Sequence, residues 1–288
     1  MNIRHLETLL AIADSGSFAA AAERVGVTQS AVSMQMKTLE EELGAPLFDR
    51  ARRPPVLNET ADGVLGRVRE LVRLSEDIRA LAGGGATRGR LRLGIIPTAA
   101  TGLVPAALAR LAERAPDLRI RVESGLSVDL LRRVAQGALD AAVVTETPRL
   151  ERGLVLNPIH EEPLVVAAPI GASGRSDRDL LRTLPFVRFN RRTGVGRVID
   201  TALRQRRIVV SEAMELDSIE AILAMVARGL GVAVAPAGSI TDTLRKTLRI
   251  VPFGNPPVLR RIALVERERG EVAPTTGLLL EELRAARD

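Results

Sequence analysis

The 288-residue chain has no cysteine, and His5 and His160 are its only imidazoles. No disulfide framework, cysteine-ligated zinc, iron–sulfur centre or thiolate nucleophile can be built from it, and the commonest acid–base group is limited to those two positions. Lysine is nearly missing too: Lys37 and Lys246 stand against 39 arginines, a bias that reflects genome base composition more than function. No run of about 18 apolar residues occurs, and Met1 leads into an amphipathic stretch, not a basic leader with an apolar core. The expectation is a soluble cytoplasmic chain with no membrane partner, long enough for two or three folded units.

The net charge of +6 is unevenly placed. Residues 1–60 hold six bases and eight acids, 61–82 four of each, and 83–288 thirty-one bases and twenty-three acids. Overall basicity therefore says nothing of nucleic-acid binding by the N-terminal segment, where only the position of individual charges can speak.

In that segment Ile3, Leu6, Leu9, Leu10 and Ala13 recur at helical spacing until Ser15-Gly16 breaks the pattern. Ser17 can cap a short helix over 18–25; Gly26-Val27-Thr28 then reads as a tight turn, with Gly26 in the left-handed position and Thr28 capping a third helix that runs to Gly44. Two short helices joined by such a turn form a helix-turn-helix candidate. At about 100° per residue, Val32, Met36, Leu39 and Leu43 share one face of the third helix, and Ser30, Met34, Lys37 and Glu41 lie opposite. Gln29 and Ser33 flank the outer face near its start, where donors and acceptors can meet base edges, and the acids Glu40, Glu41 and Glu42 sit at the far end. The same spacing also suits an ordinary solvated helix of a small bundle.

Residue identity goes further. Ser17-Phe18-Ala19-Ala20-Ala21-Ala22, Gln29-Ser30-Ala31-Val32-Ser33, Leu39-Glu40, Leu43-Gly44 and Leu47-Phe48-Asp49-Arg50 together resemble the N-terminal signature of LysR-type transcriptional regulators. The resemblance implies a winged helix-turn-helix over 1–60 that binds double-stranded operator DNA, with Thr28, Gln29, Ser30, Ser33, Met34 and Lys37 at the major groove. It places Arg50, Arg52 and Arg53 on a wing near the backbone or minor groove, although Arg50 could equally brace the wing. Met34 departs from the arginine common in the family and offers an apolar contact to a thymine methyl instead. Asn58-Glu59-Thr60-Ala61 replaces the usual Thr-x-Ala-Gly, and Asn58 still suits a helix cap.

Ala61, Val64, Val68, Leu71, Ser75, Ile78 and Ala82 step by alternating threes and fours, the seam of a short coiled coil. The expectation is a dimerising linker helix over 61–82, roughly 33 Å long, that sets two reading heads side by side; packing on the chain's own larger domain is the alternative. Gly83-Gly84-Gly85 then opens a hinge over 83–89.

From residue 90 onward, strand and helix patterns alternate, as in parallel α/β units. Strands are expected over 91–96, 118–123, 139–144, 164–168, 186–189, 208–210 and 232–235. Helices are expected from Pro97 to about Arg114, from Ser127 through Gln136, over 196–206 and 218–228, and after Pro274. The Pro97-Thr98 start, Gly137-Ala138-Leu139-Asp140 and the run from Ala227 to Pro236 resemble the effector-binding domain of the same family, similar in fold to periplasmic solute-binding proteins. The fold class implied is α/β, with an N-terminal all-α winged helix-turn-helix, a long linker helix and a two-lobed domain over 90–288. Lobe I would take about 90–161 and 267–288, lobe II about 162–266, the chain crossing near Glu161 to Pro163 and returning near Leu264 to Glu266.

In that fold a ligand lies between the lobes, where helix N-termini offer free N–H groups. The candidates are Thr98, Ser127 and Thr145 from the first lobe and Asn190, Arg191, Arg192 and Thr193 from the second; each hydroxyl also reads as a plain helix cap or turn residue. Residues 182–207 hold eight arginines and one acid, Asp200, so Arg191 or Arg192 is expected to pair with an anionic effector, while most of the eight form a solvated or tetramer-facing surface.

Enzyme motifs fail. Gly194-Val195-Gly196 is followed by Ile199 where a dinucleotide fingerprint needs Gly or Ala, Gly229-Leu230-Gly231 precedes its strand, and Gly171-Ala172-Ser173-Gly174 has the wrong spacing for a nucleophile elbow. The expectation is a non-enzyme without cofactor or metal: a homodimeric or homotetrameric regulator controlled by a small metabolite, an anion being one candidate class, with RNA polymerase as a candidate contact. The second reading is a cytoplasmic solute-binding or sequestering module whose N-terminal helices mainly oligomerise.

Overall fold

A computed structural model describes residues 1–52, 54–82, 89–147, 149–268 and 274–286. Residues 83–88 of the hinge expected over 83–89, and Arg53 of the expected wing, lie outside these. The chain divides into two compact units, Met1–Gly89 with Gln136–Ala138, and Arg90–Ala135 with Leu139–Asp288.

In the first unit, helices α1 (Ile3–Ser15), α2 (Phe18–Val25) and α3 (Gln29–Leu43) are followed by the two-residue strands β1 (Phe48–Asp49) and β2 (Val56–Leu57) and the long helix α4 (Glu59–Ala82). Their boundaries follow from local capping. The side chains of Asn2, Ser17 and Thr28 accept from the backbone N–H of Arg4, Ala20 and Ala31, and Asn58 Oδ1 accepts from Ala61 N at 3.0 Å. Gly26 ends α2 at φ +72°, which makes the tight turn into α3 possible. Leu6, Leu9, Ile12, Val32, Met36 and Leu39 form the core, closed by Leu47 and by the tilted Phe18–Phe48 ring pair with centroids 4.9 Å apart.

The second unit has two cores. The first lobe contains β3 (Gly89–Ile95), α5 (Leu103–Arg114), β4 (Leu118–Ser124), α6 (Ser127–Ala135) and β5 (Ala141–Thr145). The long strand β6 (Leu154–Pro169) then runs out of it into the second lobe, made of α7 (Asp177–Thr183), β7 (Pro185–Phe189), α8 (Gly194–Gln205), β8 (Ser211–Leu216), α9 (Ile219–Ala227), β9 (Ala233–Pro236), α10 (Asp242–Arg245) and β10 (Leu248–Pro252). Strand β11 (Leu259–Arg267) returns, and α11 (Pro274–Ala285) ends on the first lobe. The main sheet has the order β10-β6-β11-β5-β3-β4, with β9 also on β6, while β7 and β8 form a parallel pair.

Several expectations are corrected here. The helix expected from Pro97 is a 3-10 turn, Pro97–Ala99, separated from α5 by Gly102 in a non-helical conformation. The strand expected at 208–210 is irregular: Ile208 is buried but Val209 is 82% exposed, and the strand is the polar-alternating β8 just after it. Strand β6 begins ten residues before Leu164, and α7 and β10 were not foreseen. Ile262, Leu264 and Val265 belong to the first core and Phe253 to the second, which puts the return crossing near Leu259 to Arg261, before Leu264.

Ion pairs fasten the periphery of each lobe. Glu282 on α11, itself buried, accepts from Arg110 at 2.9 Å and from Arg114, both on α5. Asp177 pairs with Arg206 at 2.6 Å and accepts from Gly254 N; the Arg206 guanidinium lies 4.8 Å over the Phe253 ring. Arg188, 3% exposed, joins Asp200 and Glu212. The bond from Arg114 holds the Glu282 carboxyl below its ordinary value against the effect of burial, and the bond from Arg188 does the same for Glu212. For Asp177, burial pushes upward, but the Arg206 bond and backbone donors together outweigh it and the net direction is downward.

A carboxyl depressed in the folded state contributes stability that is complete above its unfolded value and vanishes as pH falls through the folded one. Thermal melts should therefore hold steady near neutrality and drop once the pH passes below about 4. Glu282→Gln should lower the melting temperature at pH 7 and flatten the acid drop; an unchanged acid profile would rule out this pairing as a source of stability.

Candidate functional site

Helix α3 turns its apolar face inward and its polar face out. Val32, Met36 and Leu39 are buried, and Thr8 Oγ1 bonds Gln35 Oε1 at 2.7 Å, locking the helix against α1. Leu43, expected on the buried face, is 40% exposed because Gly44 ends the helix there. Thr28, Gln29, Ser30, Ser33, Met34 and Lys37 are all exposed, with Met34 at 69%. Thr28 Oγ1 and Ser30 Oγ lie 3.0 Å apart, and Lys37 leans toward Glu41 at 3.8 Å.

The wing is built differently from the expectation. Glu40 is not an exposed acid at the far end: one carboxylate oxygen accepts from Leu47 N at 2.7 Å and Phe48 N at 3.3 Å, and the other takes Arg50 at 2.6 Å. Arg50 thus braces the wing against α3 while its side chain stays largely exposed, and Arg52 approaches Asp49 at 3.6 Å.

The expected seam on α4 is divided. Ala61 and Val68 are buried in the chain's own core, together with Leu65 and Val72, which lie off the seam. Among the described side chains, the apolar ones left outside are Leu71, Leu74 and Ile78, one stripe at spacings of three and four, with Ile78 66% exposed. The Ala82 side chain lies outside the described residues.

Between the lobes of the second unit lies a pocket of about 80 Å³. Thr98, Ser127 and Thr145 line it from the first lobe, Thr193 and Gly194 from the second. Ile96, Phe189 and Val195 supply apolar walls, and Asp217 the one acid. Ser127 begins α6 and Gly194 begins α8, so two helix N-termini open at the pocket and favour negative charge. The Ser127 hydroxyl is buried and has no hydrogen-bond partner among the described residues. Space decides the glycines of α8: a Cβ on Gly194 would lie 2.6 Å from Thr145 Cβ and 3.1 Å from Ser127 Oγ, and one on Gly196 would lie 2.1 Å from the Asn190 carbonyl.

Asn190, Arg191 and Arg192 are not in the pocket wall. Asn190 organises the turn before α8, bonding Asp217 through its Nδ2 and accepting from Thr193 Oγ1 at 2.7 Å and Arg192 N at 2.7 Å. Arg191 pairs with Glu212, with Glu215 at 3.1 Å and with Asp200 at 3.8 Å, so three carboxylates claim the guanidinium expected for an effector. Arg192 is exposed, and its carbonyl accepts from Arg197 at 2.9 Å. No cationic side chain lines the pocket among the described residues. The nearby cation that sequence reasoning missed is Arg260, buried behind Thr98 and donating to its Oγ1 at 2.6 Å.

Among the described residues, no cluster of His, Cys, Asp or Glu could hold a metal ion, and no helix is long and apolar enough to cross a membrane.

Comparison with known proteins agrees with both halves of this geometry. Residues 3–63 match the model of bacterial regulatory helix-turn-helix proteins of the lysR family, and residues 84–288 match the LysR substrate binding domain. The chain is 32% identical to the HTH-type transcriptional regulator IlvR of Caulobacter vibrioides, over 97% of this chain and 96% of that protein. It is 30% identical to a probable hydrogen peroxide-inducible genes activator of Mycobacterium avium, over 92% of this chain and 88% of that one. Full-length OxyR from Pseudomonas aeruginosa, a solved structure 25% identical in sequence, superposes with a TM-score of 0.78 over 99% of this chain and 95% of its own. With a helix-turn-helix unit at one end and a two-lobed α/β unit at the other, both matched in order, the chain belongs to the LysR family of transcriptional regulators.

Proposed function

We propose that the protein binds operator DNA sequence-specifically through α3 and that a small metabolite between the lobes of 90–286 sets this affinity. The observation that carries the DNA reading is the outward face of α3: Gln29, Ser30 and Ser33 stand exposed on the first turns of a side-chain-capped helix whose other face is fixed in a core. Met34 adds an apolar surface suited to a thymine methyl, and the exposed part of Arg50 together with Arg52 suits the phosphate backbone.

The protein acts as a homodimer or homotetramer in the cytoplasm, and not as an enzyme. The stripe Leu71, Leu74 and Ile78 on α4 supports pairing with a second copy, which would present two α3 helices to a palindromic site. RNA polymerase is a further partner in this reading. The unit boundaries proposed are 1–60 for the reading head, 61–82 for the linker helix, 83–89 for the hinge and 90–288 for the effector domain.

The metabolite is a small molecule rich in acceptor atoms, a short carboxylate above all. The free Ser127 hydroxyl, the Thr98 and Thr145 hydroxyls and two helix N-termini support this class. A peroxide signal read by thiol oxidation, which the name of the mycobacterial relative invites, is not open to a chain without cysteine.

Fluorescence anisotropy with the protein's own upstream DNA should show affinity that falls steeply with salt and resists unrelated competitor DNA. Gln29→Ala or Ser33→Ala should cost about 1–3 kcal/mol on that DNA and nothing on unrelated DNA. Equal affinity for both DNAs would favour the sequestering module instead. For a carboxylate identified by thermal shift, Ser127→Ala should weaken binding by about 0.5–1.5 kcal/mol, whereas Arg191→Ala with Arg192→Ala should leave it unchanged; the reverse order would contradict the pocket assignment.

A further inference from the structure

Behind the pocket, one buried ion pair joins groups from both lobes. Arg260 on β11 and Glu162 on β6 face each other across the two strands, 1% and 7% exposed. Arg260 Nε donates to Glu162 Oε2 at 2.6 Å, its Nη1 donates to Thr98 Oγ1 at 2.6 Å, and its Nη2 reaches the Thr98 carbonyl at 3.4 Å. The other Glu162 oxygen accepts from Gly238 N at 2.7 Å. Thr98 belongs to the first lobe and lines the pocket; Gly238 lies in the turn Ala237–Ser239 that follows β9 in the second.

Stability alone does not account for this pair, since desolvating two charges offsets most of their attraction and an apolar pair of similar volume often serves as well. Burial already pushes the Arg260 guanidinium below its ordinary value, with the Glu162 carboxylate acting the other way. An apolar pair could not supply a planar fork that donates in two directions, or a carboxylate that accepts on two sides. Because Thr98 Oγ1 is already an acceptor for Arg260, its single proton is left to donate, and the pocket that Thr98 lines is where an acceptor can meet it. At the other end, a Cβ on Gly238 would lie 2.7 Å from Glu162 Oε1, so only glycine lets that carboxylate seat on the backbone.

We propose that Arg260 is a positioning residue for the effector: it fixes Thr98 as a hydrogen-bond donor to the ligand and, through Glu162 and the Gly238 amide, ties that contact to the second lobe. The ligand part rests on the reading of the pocket as the effector site; the connection from Thr98 to Gly238 does not. A ligand acceptor on Thr98 polarises its hydroxyl and tightens the Arg260 bond, and displacement of the Ala237–Ser239 turn loosens it, an effect that is reciprocal by thermodynamic necessity.

The test is amide hydrogen exchange of the full-length chain without ligand, read by mass spectrometry over the segment containing Gly238. Thr98→Val, which removes the oxygen that Arg260 holds, should speed exchange there by about five-fold or more, and Thr98→Ser should restore the native rate. In the charge-neutral background Arg260→Met with Glu162→Gln, Thr98→Val should add nothing. Native exchange in Thr98→Val, or equal acceleration in Thr98→Ser, overturns the proposal, and the Val/Ser comparison decides even if the double variant does not fold. A thermal-shift screen of the native chain with acetate, propionate and pyruvate tests the pocket reading separately, so a failure of either is distinguishable from a failure of the other.

Discussion

The antiparallel pairing of β6 and β11 is the constraint on which the effector unit depends. From Leu154 to Pro163 on one strand and Leu259 to Arg267 on the other, it runs along the first lobe to the crossing, with Leu164 N bonded to Val258 O where the second lobe begins. Beyond that point β6 alone carries the ladder onward to β9 and β10, and on the first-lobe side β11 carries it to β5. Each lobe therefore grows from one edge of a shared two-stranded ribbon, and the pocket is the space left between them. A ribbon of two strands carries more twist than a wide sheet.

The chemistry of that space follows from the same arrangement. Strand ends and helix starts meet there, which brings hydroxyls and amide N–H groups together with Asp217 and, among the described residues, leaves cationic side chains outside. The guanidinium of Arg191 is taken by Glu212 and Glu215, and that of Arg260 by Glu162, so neither presents a bare cation to a ligand. For the ligand proposed above, neutral donors and helix dipoles would supply the recognition, without the cost of a buried, unpaired cation in the empty site.

What the sequence made legible is what local chemistry determines. Ser17, Gly26, Thr28, Gly44 and Asn58 fix the helices of the reading head through bonds spanning two to four residues, and those boundaries can be read directly. Thr98, Ser127, Thr145 and Thr193 could be singled out because each stands at the start of a helix or turn or the end of a strand. Partnerships made by tertiary structure were not legible: Glu40 looked like a solvated acid because its partners Leu47, Phe48 and Arg50 lie around a turn, and Arg191 looked free because Glu212 and Glu215 lie on β8, masked by the more apolar Ile208-Val209-Val210. The length of β6 was hidden by Pro158 and Pro163, which normally break a central strand; the register shift of β11 between Ile262 and Ala263 accommodates an extra residue beside the first of them. The Ala61 and Val68 positions on α4 fit a coiled-coil seam equally well, and only the presence of Leu65 and Val72 beside them in the core shows which partner they have.

In the function proposed above, α3, held by its buried face and presented in two copies, reads a defined DNA sequence. Hydroxyl-radical footprinting of the full-length protein on its own upstream DNA tests this most directly. Two protected patches on one face of the duplex, separated by a whole number of helical turns and lost together in the Gln29→Ala, Ser33→Ala double variant, are the predicted result. Uniform protection along the fragment, or patches that survive the double variant, would contradict it.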